Sequence, residues 1–224
     1  MKMLHVRITT TEGMLGMNPS NKQVYRDFIG SKAPDAPTME EEVELLGADE
    51  VAQKGMTIFK KLADGTPIIQ DYQIKGMLKD CCGGLRRVKG SESSKVKAYK
   101  KAIDQNIFVY PRNIPIRTNQ EMDLCERPLR AQTMQGERVS LACSEEIQPG
   151  AVLEFEIKCE VDSDLELVVE CLDKGLDRGL GQWRNSGKGR FYWEGKDSDG
   201  FRYGNKDEYE SEVKGGYQWS VALD

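Results

Sequence analysis

Leu176-Asp177-Arg178-Gly179-Leu180-Gly181-Gln182-Trp183-Arg184-Asn185-Ser186-Gly187-Lys188-Gly189-Arg190-Phe191 sets four glycines and four cations around one tryptophan. Glycine has no Cβ to hold a ligand away and adopts positive φ without strain, so successive backbone N–H groups can line a concavity for an anion. Arg178, Arg184, Lys188 and Arg190 would supply charge to a phosphate chain, and Trp183 a face on which a base can stack. A glycine-rich turn with Lys or Arg is also an ordinary hairpin connection, so the stretch alone leaves two readings open.

Outward from this loop the pattern is mostly that of strands. Towards the C-terminus, Phe191 and Trp193, then Tyr217 and Trp219, alternate around an acidic, glycine-containing segment, which predicts a closing hairpin. Towards the N-terminus, strands are predicted over 107–110, 114–117, 126–129, 139–144, 152–161 and 165–171, with Pro149-Gly150 as a turn. Between two of these runs, Arg127, Arg130 and Arg138 lie among Gln and Thr on an expected β-hairpin arm, about 112–145. At the start of the chain, Leu4, Val6 and Ile8 alternate with His5, Arg7 and Thr9, the period of a half-buried strand.

The remaining segments read as loops and helices. Residues 12–19 read as a loop, within insertion loops around 13–38 that hold a short helical piece near 24–29. Thr38 is placed to cap a helix through Glu40, Glu41 and Glu42, with helical character to about 62, where Asp64-Gly65 breaks it. Pro67-Ile68-Ile69 leads into a second helix through Ile74, Met77 and Leu78, ending at Gly83-Gly84, and a Lys-rich helix is expected over 94–103. The sum is an α+β fold with a predominantly antiparallel sheet in a single domain of 224 residues.

Composition narrows the function. With 38% hydrophobic and 31% charged residues and a mean hydropathy of −0.59, the chain has the profile of a soluble protein with a charged surface. It has neither an apolar run of about 18 residues nor a signal-peptide core, so a cytoplasmic protein without a membrane partner is expected. Cys81, Cys82, Cys125, Cys143, Cys159 and Cys171 are scattered, without metal-ligand spacing, and His5 is the single histidine. These read as reduced core residues, and neither a metal nor a cofactor is expected. The net charge of −5 and pI near 5.2 oppose indiscriminate binding to nucleic acid. Yet from Lys75 to Lys101 nine cations face only Asp80 and Glu92. That is either a basic face or a solvated helix surface.

The order of these pieces carries a resemblance. Thr66-Pro67-Ile68-Ile69 followed by Lys75-Gly76-Met77-Leu78-Lys79, and Gly179-Leu180-Gly181 with Arg184-Asn185-Ser186-Gly187-Lys188-Gly189-Arg190-Phe191, resemble two motifs of the RAMP superfamily, the RNA-binding proteins of CRISPR effector complexes. Those motifs are P-x-I-P-G-S-S-L-K-G-x-L-R and G-x-G-x-x-x-S-R-G-x-G-R. Here the Pro-Gly-Ser-Ser turn is replaced by Gln70-Asp71-Tyr72-Gln73-Ile74. The resemblance implies a ferredoxin-like (RRM-like) antiparallel sheet with helices on one face, elaborated by hairpins. It also implies single-stranded RNA or DNA along a basic groove, stacked copies in a homo-oligomer or filament, and a stand-alone member from a phage or prophage.

On that reading Arg178, Arg184, Lys188 and Arg190 contact phosphates, and Gly181, Gly187 and Gly189 allow close approach. Trp183 stacks on a base, Lys75, Lys79, Arg86 and Arg87 line the opposite side, and Arg127, Arg130 and Arg138 act from the arm. Some relatives cleave RNA with a His base. His5 is the candidate here, Asp123 and Asp104 are the acids placed between elements, and no motif supports a catalytic role. A non-catalytic binder is therefore expected. The rivals are a protein-interaction module that mimics or binds a CRISPR effector subunit through its acidic tail, and a metal-independent RNase using His5.

Overall fold

Alternation along β1 (Lys2–Thr10) buries Leu4, Val6 and Ile8 and leaves His5 and Arg7 in water, and this strand becomes the middle of a large antiparallel sheet. The structure is a computed structural model. It describes residues 1–20, 56–133 and 136–213, with side chains except at 128–133, 136–141 and 212–213. The expected helices near 24–29 and 38–55, most of the insertion, the side chains of Arg130 and Arg138, and Tyr217 and Trp219 lie outside the described residues.

In chain order the strands are β1, β2 (Met14–Leu15), β3 (Asn18–Pro19), β4 (Thr57–Ile58), β5 (Lys60–Lys61), β6 (Pro67–Gln70), β7 (Ile107–Tyr110), β8 (Asn113–Arg117), β9 (Asp123–Thr133), β10 (Gly136–Ile147), β11 (Val152–Cys159), β12 (Phe191–Asp197) and β13 (Arg202–Gly204). The helices used below are α1 (Asp71–Leu85), α2 (Glu92–Lys95), α3 (Tyr99–Asn106), α4 (Asp164–Asp173) and α5 (Gly175–Arg178). One sheet runs β13-β12-β1-β11-β8-β6-β5, with β7 also on β11. Its pairs are all antiparallel. With α1 between β1 and β7, and α4 between β11 and β12, the order β12-β1-β11-β7 is the βαββαβ arrangement of a ferredoxin-like fold. A second sheet runs β2-β10-β4-β3 with β9 on β10, and β9 and β10 form the long hairpin.

Both large helices follow their apolar spacing. In α1, Ile74, Met77, Leu78, Cys81 and Cys82 are buried, one stripe at three- and four-residue intervals. Gln70 and Gln73 close a reciprocal capping box at its start. The helix continues through Gly83-Gly84, where an end was expected, and stops at Leu85. The predicted strand over 165–171 is instead helix α4. Leu165, Val168 and Leu172 recur at intervals of three and four and pack towards α1, so the helical period overrides the β-propensity of Val168-Val169. Cys81, Cys159 and Cys171 join this core, and burial pushes the Cys81 and Cys159 thiols up, to about 11 and about 12.

Three shorter stretches also depart from expectation. Residues 57–61 form strands rather than the end of a helix, because Thr57 pairs with Ser144 and Pro19, and Lys60-Lys61 with Ile68 and Pro67. Asp64-Gly65 is the turn of that second pairing, with Gly65 at φ +87° and Asp64 Oδ1 accepting from Thr66 N–H at 2.9 Å. Met14-Leu15, in the expected loop, is fully buried and pairs with Ile147 and Glu146. The Lys-rich helix is split in two around Val96. No helix among the described residues is long and apolar enough to cross a membrane.

Trp193 anchors the closing strand. It is fully buried, and its Nε1–H donates to Asp173 Oδ1 at 2.8 Å. Trp193→Phe removes that donor and leaves a void beside α4, so urea unfolding is expected to show a loss of about 1–3 kcal/mol.

Candidate nucleic-acid interface

Helix α5 stops at Gly179, and the chain then folds back on itself. Leu180 N–H donates to Gly189 O at 2.8 Å, and Gly189 N–H donates to Gly13 O at 2.8 Å. At Gly189, with φ +70°, a Cβ would stand 1.7 Å from Leu180 O. This glycine, expected to admit a ligand, instead lets two stretches of the protein's own backbone touch. Gly181 has the same kind of role, since a Cβ there would lie 3.0 Å from Leu15 O. Gly187 differs. Only the Arg190 side chain lies within 4 Å of its Cβ position, so its surface stays open.

The arginines converge on one carboxylate. Asp80, on α1, accepts from Arg178 Nε at 2.6 Å and from Arg184 Nη1 at 3.0 Å, and Arg178 Nη1 donates to Asn185 Oδ1 at 2.6 Å. The Arg178 hydrogen bond, with the charge of Arg184, holds the Asp80 carboxyl below its ordinary value against the opposing effect of burial. From the hairpin, Arg127 lays its guanidinium over Trp183, with Cζ 3.0 Å from the ring centroid, and donates from Nη1 to Ser186 Oγ at 3.3 Å. Arg127 Nε is buried without a partner among the described residues. Trp183 itself sits in the left-handed region at φ 56° and ψ 30°, opening the single turn Arg184–Ser186. A bulky residue there is strained, and the Arg127 stack is the contact that holds its ring.

Other predicted residues have different employment. Lys188 Nζ lies 2.5 Å from Glu146 Oε1, and Glu146 is only 8% exposed, so this lysine neutralises a buried carboxylate instead of facing a phosphate. Arg190 is exposed and without an ion pair among the described residues. Lys79 pairs with Asp104 at 2.5 Å, Lys75 reaches Asp104 O and lies over Phe108, and Arg86 lies over Tyr99. These three face α3 and β7, so the structure does not join them to the loop. Arg87 is exposed in the turn that follows α1, and no contact among the described residues joins it to the loop. The two candidate acids are engaged, Asp104 with Lys79 and Asp123 with its neighbour Leu124 N–H. His5 is on the sheet, its Nδ1 3.0 Å from Glu156 Oε1.

Asp80 is the residue of the candidate site that sequence reasoning missed. Its signal was that it stands as one of two acids among nine cations from Lys75 to Lys101. No protein-family model and no curated protein matches the chain. Among solved structures it is similar to a chain in the cryo-EM structure of the Type III-B Cmr-beta bound to cognate target RNA. The TM-score is 0.49 at 14% identity, over 85% of this chain and 57% of that one. The chain thus spans little more than half the length of that neighbour.

Replacing Asp80 with Ala leaves Arg178 and Arg184 facing each other without their anion, and is expected to lower stability by about 1–3 kcal/mol at neutral pH. A carboxyl whose native value is depressed contributes fully above its unfolded value and loses that contribution as the pH falls through the native one. The difference in melting temperature between wild type and variant should therefore shrink on acidification. A difference that stays constant down to the acid transition would contradict this account.

Proposed function

We propose that the protein is a non-catalytic, single-stranded nucleic-acid-binding protein with RNA as its ligand, and that loop 178–190 is its principal contact. The observation that carries this reading is the crowding of Arg127, Arg178 and Arg184 around Trp183 and the Arg184–Ser186 turn, with Asp80 as their one carboxylate partner among the described residues. Three guanidiniums against one anion leave net positive charge in a chain whose total is −5. Local excess on an acidic protein favours a few defined phosphates over indiscriminate binding. Guanidiniums fit phosphate oxygens in pairs, and Trp183 and open Gly187 add a stacking face and a bare backbone beside them. Exposed Arg190 extends the positive surface along the loop.

Two departures from the RAMP-like expectation refine the assignment. Gly181 and Gly189 shape the loop, and Lys188 secures Glu146, so the contacts fall to the arginines. His5 belongs to the sheet and has no part in the loop cluster, which supports binding rather than cleavage there.

The test is fluorescence anisotropy with labelled single-stranded RNA from about 50 to 200 mM salt. Arg127→Ala with Arg184→Ala should weaken binding and flatten the log–log salt slope by about 1.4, at ~0.7 per lost phosphate contact on a single strand. Arg178 still holds Asp80 in this variant, and circular dichroism verifies that it folds without the Arg127–Trp183 stack. Unchanged affinity and slope would refute the assignment, and tighter binding to DNA than to RNA would correct the ligand.

A further inference from the structure

A groove of about 1230 Å³ lies not at the loop but on the open face of the main sheet, and shares no residue with the arginine cluster. Its floor is a single row of side chains set by strand register. Tyr110 lies opposite Glu156, Glu156 opposite His5, His5 opposite Lys196, and Lys196 opposite Arg202. Adjacent strands are about 4.8 Å apart, so the five span roughly 19 Å. With His5 in the middle, the row reads aromatic, minus, histidine, plus, plus. Lys196 and Arg202 have no ion pair among the described residues, and Glu156 has only His5.

We infer that this face binds a second copy of the chain about a two-fold axis running over β1. Such an axis reverses the row. It lays Glu156 over the partner copy's Lys196 and Lys196 over the partner copy's Glu156, and brings Arg202 onto the ring of Tyr110 in the other copy. His5 meets its own counterpart on the axis. The row is self-complementary only when reversed, which is what a two-fold interface requires. Of the adjoining charges, Glu154 is held by Arg7 and Arg117, and Glu194 by Arg7 and Lys206, while Asp207 and Glu210 also line the groove. Five carboxylates line the groove against four Lys and Arg side chains, so the face is not a continuation of the nucleic-acid surface. Four strand spacings by about seven residues give roughly 450 Å² per copy, half of a stable interface, so the dimer is weak and its population depends on concentration and salt.

Sedimentation velocity from about 10 to 200 μM, at low and high salt, tests the inference, with circular dichroism to verify folding of each variant. The wild type should shift from monomer towards dimer as concentration rises, and salt should reverse the shift. Glu156→Lys sets lysine against Lys196, and Lys196→Glu sets glutamate against Glu156, so each alone should remain monomeric. The double swap, and an equimolar mixture of the two single variants, should both restore the dimer. A wild type that stays monomeric throughout overturns the inference and leaves the face to a peptide or other partner. A dimer that survives both single reversals overturns it by placing the interface elsewhere, and single variants that no combination rescues overturn the proposed pairing.

Discussion

A strand paired on both sides has no freedom of register, and β1 is in that position between β11 and β12. With Leu4, Val6 and Ile8 in the core and His5 and Arg7 in water, a slip by one residue would exchange the two sets, which no alternative packing could recover. The rest of the architecture inherits this constraint. The end of β1 positions the connection to Met14-Leu15 and through it the second sheet, and β12 must enter at Phe191, opposite Thr10. The segment between α5 and β12 therefore has two fixed ends, and its glycines let it turn back in the space between them.

Within that loop, the structural tasks and those proposed for recognition are divided by residue type. Glycines at 181 and 189 permit contact of backbone with backbone, and Lys188 answers a carboxylate that burial would otherwise leave exposed to a large desolvation penalty. The arginines are held differently. Asp80 organises Arg178 and Arg184 without neutralising both, and Trp183 carries Arg127. Side chains already fixed in place lose less freedom when a ligand arrives, which suits them to recognition.

Much of this was legible in the sequence. Periodicity located β1, α1, the hairpin and the closing strand, because each repeats its apolar residues over enough positions to define a period. The failures were local. Leu165-Glu166-Leu167-Val168-Val169 satisfies both an alternating and a helical pattern, and packing of Leu165, Val168 and Leu172 towards α1 decided between them. The two-residue strands at 14–15 and 57–58 are too short for any period and exist only because β10 and β3 supply partners. At the site, the cationic loop was recognisable from composition. The tasks of its members were not, because Asp80 and Glu146 are 98 and 42 residues away from the side chains they hold, and no spacing rule reaches that far.

The Arg127–Trp183 stack has a mechanical meaning. Arg127 rides on the long hairpin of the second sheet, whereas Trp183 belongs to a loop tethered through Arg178 and Arg184 to helix α1 of the first. The ring is thus a latch between two bodies that are otherwise joined nearby through Lys188 and Glu146. The stack couples the hairpin to a tryptophan whose backbone already sits in an unfavourable region, and while it holds, hairpin and loop act as one lever.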